Sequence, residues 1–239
     1  MSLSAVLTDA LNFFRSQGKA LFVMSFPLLL VQNGLQMWLN TRLPMDVEDA
    51  TEIQLTGMDY GAILLVMLVL FHMYACVTLF LHTRSQGHQY SAQQIWLLGF
   101  KFVPSLMLAG VITAVAVMLA MMPALLTGFL PLLVIALWMG VRLAYVNFLV
   151  VVEHATPLKA VTECFRFSQG LFLPTIAVLA LLFPISFITA VLVQLVAAAP
   201  MVLAVFMNAI GAFLALFVTV ALFRLYMVKR TPAEVSVES

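Results

Sequence analysis

Arg142 asks most of its surroundings. In the stretch GVRLAYVN it stands inside a long apolar run, about ten residues, or roughly 15 Å of helix rise, from the nearer polar flank. A guanidinium at that depth in a membrane span is costly unless it finds partners, and it is too deep for easy snorkelling. Tyr145 follows one turn later on the same face. No acidic residue lies at matching depth in any apolar run. The protein partners of Arg142 are therefore expected to be carbonyls and neutral side chains, with Gln32, Asn33, His72, Asn147, Gln194 and Asn208 as the neutral candidates. Two readings stand. The arginine is satisfied by carbonyls and water and locks helices together, or it receives an anion such as a lipid phosphate or a solute carboxylate.

His72 and Cys76 share a helix face one turn apart, which is a weak metal signal because no third ligand of suitable type stands nearby. A packed histidine is the plainer expectation, and no membrane carboxylate continues a proton relay from it. Cys76 lies in an apolar run and Cys164 in a polar segment, so no disulfide is expected between them. The chain has no H-E-x-x-H, no G-x-S-x-G and no phosphate-cradling glycine loop. The acidic DVED at 46–49 reads as a solvated loop. No enzymatic activity, metal or cofactor is expected.

These residues must be carried by membrane-spanning helices. Of 239 residues 64% are hydrophobic and 9% charged, against roughly 25% charged in a soluble domain. The excess apolar surface is expected to face lipid, and a net charge of +1 gives no basic bias towards nucleic acid. Apolar runs of spanning length fall at about 20–39, 60–82, 102–125, 129–152, 171–197 and 201–227. With no water to satisfy the backbone they must be helices, giving one all-α bundle of about six spans. Pro184 is expected to kink the fifth. Tight uncharged turns around Gly128 and at 197–200 join spans three to four and five to six. Gly57 and Gly61 form a G-x-x-x-G compatible with close helix contact.

Basic residues set the orientation. Arg15 and Lys19, Arg84 and Lys101, Lys159 and Arg166, and Arg224, Lys229 and Arg230 flank the spans on one side. Arg42 stands opposite among Asp46, Glu48, Asp49, Glu52 and Asp59. Both termini are thus expected in the cytoplasm, with no cleavable leader at the start. Arg15, Lys101, Lys159, Arg166, Arg224, Lys229 and Arg230 form a candidate surface for anionic phospholipid.

Three segments ahead of outward-going spans look alike: SAVLTDALNFFRSQG at 4–18, SAQQIWLLGFK at 91–101 and TPLKAVTECFRFSQG at 156–170. Each opens on a hydroxyl suited to capping and ends with phenylalanine beside a basic residue. Each is expected to be a short amphipathic helix in the cytoplasmic headgroup layer, introducing one of three hairpins.

NFFR at 12–15, Val150–Glu153 with the Ala-Val helix ending at Arg166, and above all LFRLYM at 222–227 resemble the YciC family. These are small bacterial inner-membrane proteins of about six spans. The resemblance covers essentially the whole chain and implies location and topology without implying a reaction. More loosely, the order of span, acidic residue, basic helix and span resembles the membrane domain attached to some glycerophosphodiester phosphodiesterases, whose catalytic domain is not expected within these residues. The function expected is a non-enzymatic bundle that binds lipid or a membrane-protein partner. The alternative is a small carrier of an anionic or amphipathic solute with Arg142 in its path.

Overall fold

The computed structural model describes residues 3–42, 56–196 and 200–230. The acidic DVED segment and most of the turn expected after span five lie outside the described residues. Among the described residues every regular element is a helix, and six helical stretches are long and apolar enough to cross a membrane. The chain is an all-α helical bundle. The first stretch is α1 (Leu3–Arg42) and the second α2 (Gly57–Ser85). The third joins α3 (Ala92–Gly99) to α4 (Val103–Thr127) through a 3-10 turn at Phe100–Phe102. The fourth holds α5 (Leu133–Leu143) and α6 (Val146–Val152). After the separate α7 (Pro157–Phe167), the fifth holds α8 (Phe172–Leu179) and α9 (Leu182–Leu195), and the last is α10 (Met201–Arg230).

α1 and α10 run antiparallel against each other. Phe14 packs on Phe213 and Phe217, Phe26 on Phe206, and Arg224 lies over Phe13. Pairs whose numbers rise on one helix as they fall on the other place Leu3 and Arg230 at the same end of the bundle. α9 has no buried residue. Phe183, Phe187 and Leu195 all point outward, a surface that suits lipid and not water.

Proline places three of the breaks. It removes its own N–H and its ring strikes the carbonyl four residues back. Counting back four from Pro104, Pro174 and Pro184 gives Phe100, Gly170 and Ala180. There the structure has the 3-10 turn, a left-handed glycine (φ +80°) and the opening between α8 and α9. The kink expected at Pro184 is therefore a break one turn before it. The break at Leu143–Val146 in the fourth span has no proline. It falls beside the Arg142 carbonyl, which accepts a bond from the Cys164 thiol at 3.1 Å. A side chain that engages a ladder carbonyl is a known cause of such openings.

The three look-alike segments take three forms. The segment at 4–18 is no separate helix: it continues into its span as the 40-residue α1. Gly18 stays helical, with no proline four residues after it, whereas the matching Gly170 precedes Pro174 by four. The 91–101 segment forms α3, which packs along α2, with Ile95 and Gly99 against Cys76. Only α7 is set apart by a turn. Ala160, Val161 and Cys164 form its buried face, while Leu158, Lys159, Thr162 and Arg166 are exposed.

Close helix approach occurs away from the expected G-x-x-x-G, since a Cβ on Gly57 or Gly61 would meet nothing within 4 Å. It occurs at Gly110, where a Cβ would lie 2.3 Å from the Phe71 ring, and at Gly211, 2.2 Å from Thr189. The turn at Gly128 is as expected, with φ at +66° closing α4.

Candidate functional site

Arg142 meets the end of α7. Its Nη1 donates to the Phe165 carbonyl at 3.0 Å and the Ser168 hydroxyl at 3.3 Å, and its guanidinium lies over the Trp138 ring. Lys229, from α10, donates to the carbonyls of Phe167 and Gln169. A helix leaves its last four carbonyls without intrahelical partners. Here all four find one. Cys164 O accepts from the Ser168 N–H, Phe165 O from Arg142, Arg166 O from the Gln169 N–H and Phe167 O from Lys229. Two cations at a helix C-terminus also face the negative end of its dipole. The partners of Arg142 are a carbonyl and a hydroxyl, the types expected, but none of the six neutral side chains named as candidates is among them, because α7 reaches Arg142 first. Lys229, expected on the candidate anionic-lipid surface, also caps α7, because the orphan carbonyls lie within its reach.

Tyr145 is fully buried. The Thr175 hydroxyl gives its proton to Leu171 O, so the Tyr145 hydroxyl is the donor in its 2.5 Å contact with Thr175. Around it Phe148, Phe167, Phe223 and Tyr226 form one aromatic cluster. Tyr226 donates to Glu153 at 2.6 Å, and Arg230 pairs with the same carboxylate. Arg230 makes this pair from an exposed position, with Glu153 the more buried partner. Glu153 was not singled out as a partner from sequence. Its signal was an acid ending one span while a tyrosine and an arginine four apart end another.

His72 is packed, not poised. Its ring stacks on Phe100 at 4.0 Å between centroids and its Nε2 lies 3.5 Å from the Cys76 sulfur. Among the described residues no three potential metal ligands cluster. Both cysteines are free and fully buried, and burial pushes the Cys164 thiol up to about 12. Only the thiolate reacts fast with alkylating reagents. Maleimide at neutral pH is therefore expected to leave both cysteines of the native protein unmodified and to label both in SDS. Fast labelling of the native protein would show that the packing around α3 and α7 opens.

Asn33 and Asn147 mark a different place. A cleft of about 1010 Å³ between α1, α9 and α10 is lined by Asn33, Thr41, Ser186, Thr189, Gln194 and Asn208 among apolar neighbours. It adjoins a cavity of about 570 Å³ whose polar lining is Gln32, Asn33, Gln36, Tyr74, Thr78, Asn147 and Thr219. Asn33, Ala212 and Ala215 belong to both. Among the described residues no charged side chain lines either one, and Arg142, Tyr145 and His72 are absent from both linings. Arg142, Tyr145, His72, Asn33 and Asn147, which the sequence offers as one candidate internal polar site, therefore separate into three places. The Asn33 and Asn208 amide N–H groups donate to their own helices, at Leu29 O and Ala204 O, which leaves each amide oxygen as an acceptor.

The remaining cations divide as well. Arg15, Lys101, Lys159 and Arg166 are exposed, Lys159 forming an i,i+4 pair with Glu163, and the Arg224 guanidinium lies over Phe13. Fold and site define an apolar helical bundle with six helices of membrane-crossing length and an open cleft without charge among the described residues. Compared with family models, curated proteins and solved structures, the chain finds no match.

Proposed function

We propose that this chain is a multi-pass protein of the bacterial inner membrane, with both termini in the cytoplasm, and that it binds an amphipathic lipid in its neutral cleft without catalysing a reaction. The observation that carries the reading is the lining of the cleft: amides and hydroxyls on an apolar wall, with no charge among the described residues. Such a lining suits a guest with an apolar body and a few hydrogen-bonding groups. The free amide oxygens favour a head that donates, such as the hydroxyls of a glycerol or sugar. The asymmetry of the basic residues supports the orientation. Kinship with the YciC family belongs to the same proposal. Its support is the sequence stretches that carry the resemblance, NFFR at 12–15 and LFRLYM at 222–227 above all.

A carrier of anionic solutes was suggested by Arg142, and it loses that support because Arg142 lines neither cavity. The test is native mass spectrometry of protein released in mild detergent, wild type beside Asn33→Leu/Asn208→Leu. Both amides bond only within their own helix, so the double variant is expected to fold. An adduct of lipid mass present in the wild type and lost from the variant is the expected result. Identical bare protein in both would overturn the reading, and an adduct of protein mass would replace lipid with a partner chain.

A further inference from the structure

A second pocket, away from the cleft, opens between α1, α2 and the start of α3, with a volume of about 430 Å³. Its lining is graded. Lys19, Arg84, Tyr90 and Ser91 form a polar rim, with Ser16 beside them. One turn further from that rim, Lys19 gives way to Val23, Arg84 to Phe80, and Ser91 to Ile95. Three helices thus make the same change, from charged or hydroxylic to apolar, over one turn each.

The rim is also unneutralised. Among the described residues neither Lys19 nor Arg84 has a carboxylate within 4 Å, whereas Arg230 and Lys159 do. The Arg84 guanidinium is held over the Phe80 ring in the pocket wall, its centre 5.4 Å from the centroid. Phe80 is braced edge-on by Phe13, and Phe13 carries Arg224 on its own face. Ser91 accepts the Gln94 N–H with its oxygen, so its hydroxyl proton is left to donate. The pocket floor is fixed by the Trp96 indole, which donates to Met24 O at 3.0 Å and pins α3 to α1.

We propose that this pocket seats the phosphate of an anionic phospholipid, with Lys19 and Arg84 as counter-charges, Tyr90 and Ser91 as hydroxyl donors, and an acyl chain lying along Val23. Two unpaired cations beside hydroxyl donors match a phosphate and its negative charge. The apolar turn beneath them matches a chain attached to that phosphate, which a free anion lacks. The proposal is independent of the neutral cleft, since the two linings share no residue.

The test measures binding of dioleoylphosphatidylglycerol and dioleoylphosphatidylcholine to the full chain by native mass spectrometry. The wild type is expected to prefer the anionic lipid. Lys19→Gln/Arg84→Gln is expected to weaken its first binding event roughly ten- to thirtyfold, while Lys159→Gln/Arg166→Gln leaves it unchanged. Val23→Trp keeps both cations, sits at an exposed position and fills the groove, so it is expected to weaken binding even if the charge variant misfolds. Asn33→Leu/Asn208→Leu is expected to leave this binding intact, which separates it from the cleft. Equal retention of the two lipids by the wild type would overturn the proposal. So would undiminished binding in both the charge variant and Val23→Trp, or displacement of the lipid by inorganic phosphate alone.

Discussion

Arg142→Leu is expected to lower the stability of the protein by about 2–4 kcal/mol while leaving the lining of the neutral cleft intact. The substitution removes the bonds to Phe165 O and Ser168 Oγ and the contact with the Trp138 ring. It leaves the Phe165 carbonyl with only the Ser168 hydroxyl at 3.3 Å. Arg142→Lys restores a charge but not the flat guanidinium that bonds and stacks at once, so it should recover part of the loss. Thermal unfolding in detergent measures the first effect. Limited trypsin digestion measures where it acts, because a loosened α7 offers Lys159 and Arg166 for cleavage before the rest of the bundle. A melting temperature equal to the wild type's, with no faster cleavage in α7, would show that Arg142 does not hold this helix.

Gly110→Ala is expected to cost about 1–3 kcal/mol, the usual range for overpacking. The added methyl would stand 2.3 Å from the Phe71 ring, and that ring is itself buried, so α2 and α4 must part or Phe71 must leave its rotamer. Phe71→Leu on its own leaves a small void. Combined with Gly110→Ala it should be less destabilising than the sum of the two, and a thermodynamic cycle over the four proteins measures that coupling. Strict additivity would mean that the helices move apart freely and that this contact does not set their spacing. Gly57→Ala, with nothing within 4 Å, is the matched control.

The spans were legible because an apolar run of twenty residues has few alternatives to a membrane helix. The kink read at Pro184 was legible to within a turn, since proline's clash acts at a fixed distance along the chain, whereas Pro27 and Pro123 lie inside continuous helices. The break beside Arg142 was not legible. It depends on a thiol from a segment 22 residues later, and a contact between elements has no signature in either one. The same limit explains Arg142 itself. Its depth and the missing carboxylate forecast carbonyl partners, but nothing local says that they belong to α7. Asn33 and Asn147 were recognised as polar groups in apolar runs, and only packing shows that they line one space while His72 belongs to another. Lys19 and Arg84 were counted for orientation alone, because the pocket between them needs three helices to exist. The G-x-x-x-G at Gly57 shows the converse: the pattern marks a helix face able to approach a neighbour, and among the described residues no neighbour is there.

The capping of α7 has a consequence for the order in which the protein is made. Arg142 leaves the ribosome before α7, so one of its terminal carbonyls meets its donor as soon as the helix forms. Lys229 comes 62 residues after Phe167, once α8, α9 and nearly all of α10 have been synthesised. Until then the Phe167 carbonyl is left to water, while the other three terminal carbonyls of α7 already have their partners. A chain stalled or cut before Lys229 would hold six helical stretches in place and still present α7 one cap short to the proteases that survey unfinished membrane proteins.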